Sequence, residues 1–366
     1  MDSVLRLLEK TPFEGSVIES AESLRQARGK LKIKPLIASA VLWAALAVLL
    51  VVGSANLSAL RKYPSVSLRY NTPVSGQAAY RARQYAIEHG GEESFWPVFW
   101  HETGASFSCG YNKSTATCII YSGDAALVWP AQYQAGAAPG VTDGAGCAIS
   151  SALAWELWGG VDVVGRTVDI DEETRIVRGV FEGEDLLALL SVRDEDTGRS
   201  FTAVELTGGP SAPARSDVES FIAASGLGKP DYILMGTPVL FASIMAVLPL
   251  IMLAAYGLAL CIGQLKQYPN AMWGGLFLLM IGFALFLPRL LETLPGWMTP
   301  SRWSDFSFWG SLSKQIGNDL REYFILAPRL RDVTYKILLL KQAGIAFLSV
   351  CLAMSVCHRW NRKMQG

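Results

Sequence analysis

Apolar runs alternate with mixed polar stretches and divide the chain into two kinds of segment. A helix that crosses a hydrocarbon core of about 30 Å needs about 20 predominantly apolar residues. Runs of that kind lie at residues 35–55, 236–263, 271–291 and 337–357. Between the first two runs, residues 56–232 show strand-like alternation and helix-like spacing in turn. The pattern predicts an α-helical membrane protein with four transmembrane helices and a large α+β domain between helices 1 and 2.

Basic residues ahead of the first run indicate its orientation. Five Lys or Arg residues lie between positions 25 and 34, and such residues are enriched on the cytoplasmic side of a span. With four spans, residues 1–34 form a cytoplasmic amphipathic segment, residues 358–366 a cytoplasmic tail, and the domain at 56–232 is extracytoplasmic. The 34 residues before the run argue against a cleaved signal peptide. We therefore expect a multi-pass protein of the cell (plasma) membrane with both termini in the cytoplasm.

The connection at residues 292–336, which is external in this topology, has a character of its own. It carries six Lys or Arg residues, although short external loops are usually poor in them. Aromatic residues cluster after the third run and apolar residues follow at helical spacing: Trp297, Trp303, Phe306, Phe308 and Trp309, then Leu312, Ile316, Leu320 and Phe324. One interpretation is an aromatic belt with a helix on the membrane surface. The other is a docking surface for the external domain or a partner.

Composition agrees with a membrane protein and gives no reason to expect nucleic acid. The chain is 51% apolar and 17% charged, against roughly 25% charged residues in a soluble domain. Its mean hydropathy is +0.28. The formal net charge is zero, so the basic surface that attracts nucleic acid is not indicated. The lipid bilayer is the expected surrounding.

The sequence holds no pattern typical of a catalytic, cofactor or metal site. It lacks the Gly-rich phosphate loop that ends in Lys-Ser/Thr, so ATP hydrolysis by this chain is not expected. Its three histidines are accompanied by neither a His-Glu-x-x-His nor a Cys-x-x-Cys spacing. We predict that the protein is not an enzyme and has no catalytic, cofactor or metal site.

Six cysteines fall into two groups. Three lie in apolar runs and are expected to act as small hydrophobic residues: Cys261, Cys351 and Cys357. Cys109 and Cys118 flank a predicted hairpin and are a candidate disulfide in an oxidising compartment. This pairing would leave Cys147 alone, so free cysteines are the alternative.

Residues 147–181 combine local signals that agree with one another. Ser150 is typical of a helix N-cap, and Gly159 is typical of a helix stop. The residues between them place apolar side chains four apart, so Trp158 is expected in the core with Leu157. A hairpin follows, in which Gly179 indicates a bulge or a close backbone contact.

This run resembles the extracytoplasmic core domain of the MacB/FtsX-type permeases of ABC transporters. The resemblance rests on these residues: Ile149, Ser150, Leu153, Ala154, Leu157, Trp158, Gly159, Val164, Gly165, Arg166, Val177, Gly179 and Val180. Position by position they are caps, core residues and turns, so they identify a fold and not a reaction.

The resemblance implies a permease-like subunit of a transport or mechanotransmission system. Such a subunit would form a homodimer or heterodimer in the membrane and would use a separate cytoplasmic ABC ATPase to move its external domain. In this family a short helix between the second and third membrane helices usually contacts the ATPase. The corresponding connection here, residues 264–270, is too short to hold such a helix easily. We therefore expect any ATPase to contact the amphipathic segment Ser16–Arg28 within residues 1–34. The alternative contact is the end of the second helix, at Leu265–Tyr268. The alternative is an ATPase-independent membrane-anchored binding or scaffold protein that uses the same domain.

The topology can be tested by labelling an introduced cysteine. If residues 56–232 are external, a membrane-impermeant maleimide should modify a Ser114→Cys variant in intact cells. Modification only after permeabilisation would contradict the predicted orientation.

Overall fold

The computed structural model describes residues 33–64, 66–91, 94–193, 195–209, 213–265, 268–292, 295–300, 302, 304–327 and 329–365. The predicted cytoplasmic segment 1–34 therefore lies almost wholly outside the described residues, and so does Trp303.

Within the described residues, helices and strands follow one another in a fixed order along the chain. They are α1 Ile33–Leu60, β1 Val66–Ser75, α2 Gly76–Glu88, β2 Phe95–Cys109, β3 Asn112–Ser122, α3 Ala125–Val128, β4 Tyr133–Gly136, β5 Gly146–Ser150, α4 Ser151–Trp158, β6 Thr167–Ile170, β7 Glu173–Phe181, β8 Leu187–Ser191, β9 Ser200–Gly208, α5 Arg215–Ser225, β10 Tyr232–Met235, α6 Thr237–Leu265, α7 Pro269–Glu292, α8 Phe306–Ile325 and α9 Leu330–Gln365.

Three helices of the described chain are long and apolar enough to cross a membrane. Their apolar spans are Ala40–Leu60 in α1, Thr237–Ile262 in α6 and Leu330–Arg359 in α9. The predicted third span lies in α7, whose described part includes a shorter apolar stretch, Trp273–Gly282. The membrane character is therefore confirmed for three of the four predicted runs, and the span at 271–291 stays a prediction.

The last span begins earlier than the sequence predicts. The apolar pattern starts at residue 337, but α9 begins at Leu330 and continues for 36 residues. The charged residues Arg331 and Asp332 end the apolar pattern, yet both are buried in the structure. These charged residues, which are typical of an external loop, thus belong to the helix. They can be buried there because the neighbouring domain supplies side chains of opposite charge.

Residues 66–235 form one α+β domain around a ten-stranded sheet. The strand order is β10-β1-β9-β2-β3-β8-β5-β7-β4, and β6 pairs with β2 and β7. Helices α2 and α5 cover the end of the sheet that contains β1 and β9. Helix α4 covers the other end. The predicted α+β class is confirmed. One lobe contains α2 and α5, the other contains α4, and the two lobes share a continuous sheet.

The segment around α4 folds as a capped unit. The Ser150 hydroxyl accepts the backbone N–H of Leu153 at 3.2 Å, and Gly159 adopts φ +71° after the last helical residue. Gly179 lies against another strand, since a Cβ there would come 2.4 Å from the carbonyl oxygen of Ala137. Trp158, which was expected in the core, packs against the α4 core and is only partly buried.

The candidate disulfide between Cys109 and Cys118 does not form, and both cysteines are free. The two residues lie on adjacent strands, but Cys109 is opposite Asn112 and Cys118 is opposite Thr103. Six strand positions therefore separate them, which is roughly 20 Å. A disulfide requires Cα atoms within about 7 Å.

The hairpin also decides the best position for the labelling experiment. Ser114 is only 8% exposed, whereas Tyr111 at the turn is fully exposed. Tyr111→Cys in a Cys109→Ser background is therefore the better variant for the same test.

The α4 core provides a stability test. Leu157→Ala removes a side chain that is 1% exposed, and such truncations cost about 2–5 kcal/mol. Trp155→Ala truncates a ring that is 60% exposed, so its effect should be within about 0.5 kcal/mol. Thermal unfolding of the purified protein should show a lower midpoint for the first variant only. Equal midpoints for both variants would contradict the packing of α4.

Candidate functional site

Buried charged side chains join the α+β domain to the first turn of α9, and we call them the junction. Its centre is formed by Arg69 on β1, Glu205 on β9, and Arg331 and Asp332 on α9. Their exposed fractions are 2%, 0%, 4% and 6%. Charged residues are almost never buried to this degree unless they are paired. The burial of these four side chains therefore depends on the ion pairs and hydrogen bonds that each one makes.

The four charges form an alternating chain of ion pairs. Glu205 Oε1 lies 2.7 Å from Arg331 Nη1 and 3.1 Å from Arg69 Nη1. Arg69 Nη2 in turn lies 2.8 Å from Asp332 Oδ1. Glu205 of the α+β domain thus pairs with Arg331 of α9, and Asp332 of α9 pairs with Arg69 of the domain. Each part of the molecule supplies one acidic and one basic partner.

Trp100 on β2 packs at the centre of the junction. Its indole N–H donates to Glu205 Oε1 at 2.8 Å. The guanidinium carbons of Arg69, Arg329 and Arg331 lie 4.9, 5.3 and 5.5 Å from the ring centroid. These distances are in the range of cation–π contacts. One buried ring therefore contacts cations from both parts of the protein.

The domain also satisfies polar groups at the start of α9. The backbone N–H of Leu330 donates to the Glu102 carboxylate at 3.3 and 3.2 Å. Arg331 Nε donates to the carbonyl oxygen of Val128 at 2.6 Å, and its Nη2 donates to that of Leu127 at 3.2 Å. The first N–H groups of a helix have no partner inside the helix, and a carboxylate there is favourable. The α+β domain therefore caps α9.

Electrostatics favour the charged form of the central arginine. Burial alone lowers the pKa of Arg69, but the carboxylates of Asp332 and Glu205 outweigh it, so the pKa is raised. Burial raises the pKa of Glu102 above its ordinary value. Burial, together with the nearby Arg69, lowers the pKa of Arg329.

Helix α8 contacts the same domain at a second place. Arg215 at the start of α5 lies 3.3 Å from Asp319 Oδ1 and 2.9 Å from Glu322 Oε1. Asp319 also accepts the Thr237 hydroxyl at 2.8 Å, and the Tyr323 hydroxyl donates to the Met235 carbonyl at 2.9 Å. Of the two interpretations of loop 292–336, these contacts favour docking on the α+β domain.

Helix α1 is held against α9 in the apolar region. Asn56 Nδ2 donates to the Leu338 carbonyl and to Gln342 Oε1, both at 3.0 Å. Gly53 allows close approach, since a Cβ there would lie 3.1 Å from Ile345 Cγ2. Small residues and interhelical hydrogen bonds are typical of packed membrane helices. We expect α1 and α9 to move together.

The residues that carry the family resemblance lie around α4 and are not among the residues of the junction. Ile149, Leu153, Ala154, Leu157, Val177 and Val180 are buried, while Val164 is 43% exposed. Gly165 adopts φ +87° in a turn, and the exposed Arg166 donates its backbone N–H to Val163. These residues shape the lobe of the domain that contains α4.

Sequence reasoning missed the junction. Its one visible signal was the excess of basic residues in loop 292–336, which includes Arg329 and Arg331. Among the described residues, no group of three or more His, Cys, Asp or Glu is placed to hold a metal ion. The junction fixes the first turn of α9 to the α+β domain.

No family model matches the sequence, and no curated protein matches it. Several solved structures have a similar fold over part of the chain. The extracellular domain of the noncanonic ABC-type transporter YknZ from Gram-positive bacteria is 12% identical with a TM-score of 0.34, over 43% of this chain and 87% of that one. The periplasmic region of MacB from Actinobacillus actinomycetemcomitans is 12% identical with a TM-score of 0.39, over 47% and 87%.

A domain of a protein assigned as a permease in Porphyromonas gingivalis is also similar. It is 15% identical with a TM-score of 0.33, over 44% of this chain and 82% of that one. Each similarity covers less than half of this chain.

The junction predicts a large loss of stability when one charge is removed. Arg331→Met leaves Glu205 and two carbonyl groups with one partner fewer, and breaking a buried ion pair costs about 3–5 kcal/mol. The exposed Arg321 on α8 serves as the matched control, and Arg321→Met should change stability by less than about 0.5 kcal/mol. Thermal unfolding of the purified variants measures the difference.

A second substitution separates the ion pair from simple loss of packing. In the double variant Arg331→Met/Glu205→Gln, the Glu205 charge that loses Arg331 as a partner is also removed, so the destabilisation should be smaller than the sum of the two single effects. Strict additivity would show that Arg331 and Glu205 do not interact.

Proposed function

We propose that this chain is a permease-like subunit of a MacB/FtsX-type ABC transport or mechanotransmission system. In this proposal the α+β domain is extracytoplasmic, four helices including α7 cross the membrane, and both termini are cytoplasmic. A separate ATPase supplies the energy, because the sequence lacks a phosphate loop. The chain itself is not an enzyme.

The observation that carries the proposal is the continuity of α9. This helix has 36 residues, which corresponds to roughly 54 Å at 1.5 Å per residue. Its first turn is fixed in the junction by Arg331 and capped by Glu102. Its apolar part is long enough to cross the membrane. A tilt imposed at the far end would therefore reach the α+β domain through one rigid element.

Pairing of two subunits follows from the family resemblance and is part of the proposal. A homodimer or a heterodimer would place two junctions side by side, so that relative movement of two α9 helices would move two external domains. The lipid bilayer surrounds the remaining apolar faces.

The contact with the ATPase is assigned to the N-terminal segment. Helix α6 ends at Leu265 and α7 begins at Pro269, so the connection has no room for a separate coupling helix. Residues 1–34 combine apolar positions with five basic residues near the first span. This combination supports an interface.

A second candidate function is an ATPase-independent binding or scaffold protein with the same domain. The observation that favours it is the same short connection between α6 and α7. In that case the junction would only hold the domain at a fixed height above the membrane.

Purification from native membranes tests the proposal. The tagged protein, extracted in a mild detergent, should retain an ATPase subunit that mass spectrometry identifies by its phosphate-loop sequence. Deletion of residues 2–24, with the basic residues from 25 to 34 kept, should abolish that retention and leave membrane insertion unchanged. The proposed contact depends on the deleted apolar positions.

The two possible failures have different meanings. If the truncated protein retains the ATPase at wild-type yield, the N-terminal contact is wrong. If the full-length protein never retains an ATPase, the scaffold function becomes the better account.

A further inference from the structure

A cavity of about 360 Å³ lies where α1, α6 and the turn at Gly296–Met298 meet. Ligand pockets in proteins usually measure about 300–1,000 Å³. The described lining includes Arg61, Tyr63, Met235, Leu240, Ser243 and Trp297. Arg61 directly follows the apolar span of α1, which ends at Leu60. The cavity therefore lies at the boundary between the membrane core and the α+β domain.

Two hydrogen-bond donors in this cavity lack a strong partner. The Arg61 guanidinium contacts only the Ser243 hydroxyl, at 3.4 Å, among the described residues. The buried indole Nε1 of Trp297 donates to no described atom. The described lining residues include no Asp or Glu. Buried donors are almost always satisfied, so the Trp297 N–H favours an acceptor in the cavity. The exposed Arg61 guanidinium favours negative charge on that acceptor.

The rest of the cavity is apolar and continues along α6. Residues four apart lie on the same face of a helix, so the face that contains Val239 and Ser243 continues to Val247 and Ile251. Val247 is 49% exposed and Ile251 is 58% exposed. An apolar stripe therefore leads from the cavity into the membrane region.

We propose that this cavity binds a membrane lipid with an anionic headgroup. The headgroup phosphate accepts hydrogen bonds from Arg61 and Trp297, and an acyl chain lies along Val247 and Ile251. Arginine at the end of a span and interfacial tryptophan are both suited to a headgroup. The apolar stripe distinguishes this ligand from a free phosphate ion, which would gain nothing from it.

The site is connected with the junction through one residue. The Tyr63 ring lines the cavity and also lies 5.3 Å from the guanidinium carbon of Arg331. A bound lipid would therefore contact a ring that packs against the junction. The lipid site itself does not depend on the proposed function, since it requires neither an ATPase nor movement.

Native mass spectrometry of the full-length protein, released from detergent, tests the site. Dioleoylphosphatidylglycerol should give a one-to-one adduct that survives activation, and it should raise the thermal unfolding midpoint. Dioleoylphosphatidylcholine and glycerol 3-phosphate should do neither. Equal effects of the two lipids would overturn the anionic specificity, and an equal effect of glycerol 3-phosphate would overturn the lipid assignment.

Three variants locate the binding. Arg61→Gln should weaken the phosphatidylglycerol adduct about tenfold, as expected for loss of a charged hydrogen bond. Trp297→Phe keeps the ring and removes the N–H, so it should weaken binding several-fold with little effect on folding. Lys62→Gln is the matched control, because Lys62 is exposed and does not line the cavity.

The outcome with the control variant is decisive. If Lys62→Gln weakens the adduct as much as Arg61→Gln, binding depends on surface charge and the proposed site is wrong. If neither Arg61→Gln nor Trp297→Phe changes the adduct, the lipid binds elsewhere and the proposal is also wrong.

Discussion

The buried charge of Arg331 is the constraint on which the arrangement of the molecule depends. Removing a guanidinium from water is costly unless other groups replace the lost hydration. Glu205, two backbone carbonyls and the ring of Trp100 do so here. All of these groups belong to the α+β domain, so α9 cannot slide or turn without separating them. Removing one partner of a buried ion pair is costly because it leaves an uncompensated charge, so these contacts hold α9 in one register.

Helix α1 is positioned relative to α9, and helix α8 relative to the α+β domain. Helix α1 follows α9 because Asn56 hydrogen-bonds to Gln342 and Gly53 allows close packing. Helix α8 is fixed on the domain through Arg215, which contacts two carboxylates of α8. The membrane part and the domain are thus joined by polar contacts on separate elements. Hydrogen bonds and ion pairs weaken steeply when their distances or angles change, so the connection between the membrane part and the domain is stiff.

Features that depend on neighbouring residues were predictable, and features that depend on distant partners were not. The cap at Ser150 and the stop at Gly159 are local, so the sequence alone indicated α4. The pairing of Arg331 with Glu205 joins residues far apart in the chain, so the charges around position 331 suggested an exposed loop. The same limit explains the missed cysteine geometry, since the register of β2 and β3 depends on the whole hairpin.

Strand β2 connects the junction with the lobe that resembles the permease family. Its Trp100 lies in the junction, and its Phe107 pairs with Ile170 and packs in the α4 core. The strand has 15 residues, which corresponds to roughly 50 Å, and β3 pairs with it from Phe99 to its end. The junction and the α4 core therefore lie on one continuous, paired strand. Under the proposed function, a tilt of α9 would therefore rotate the two lobes as one body. The displacement of the lobe that contains α4 would then be larger than that of the membrane helices.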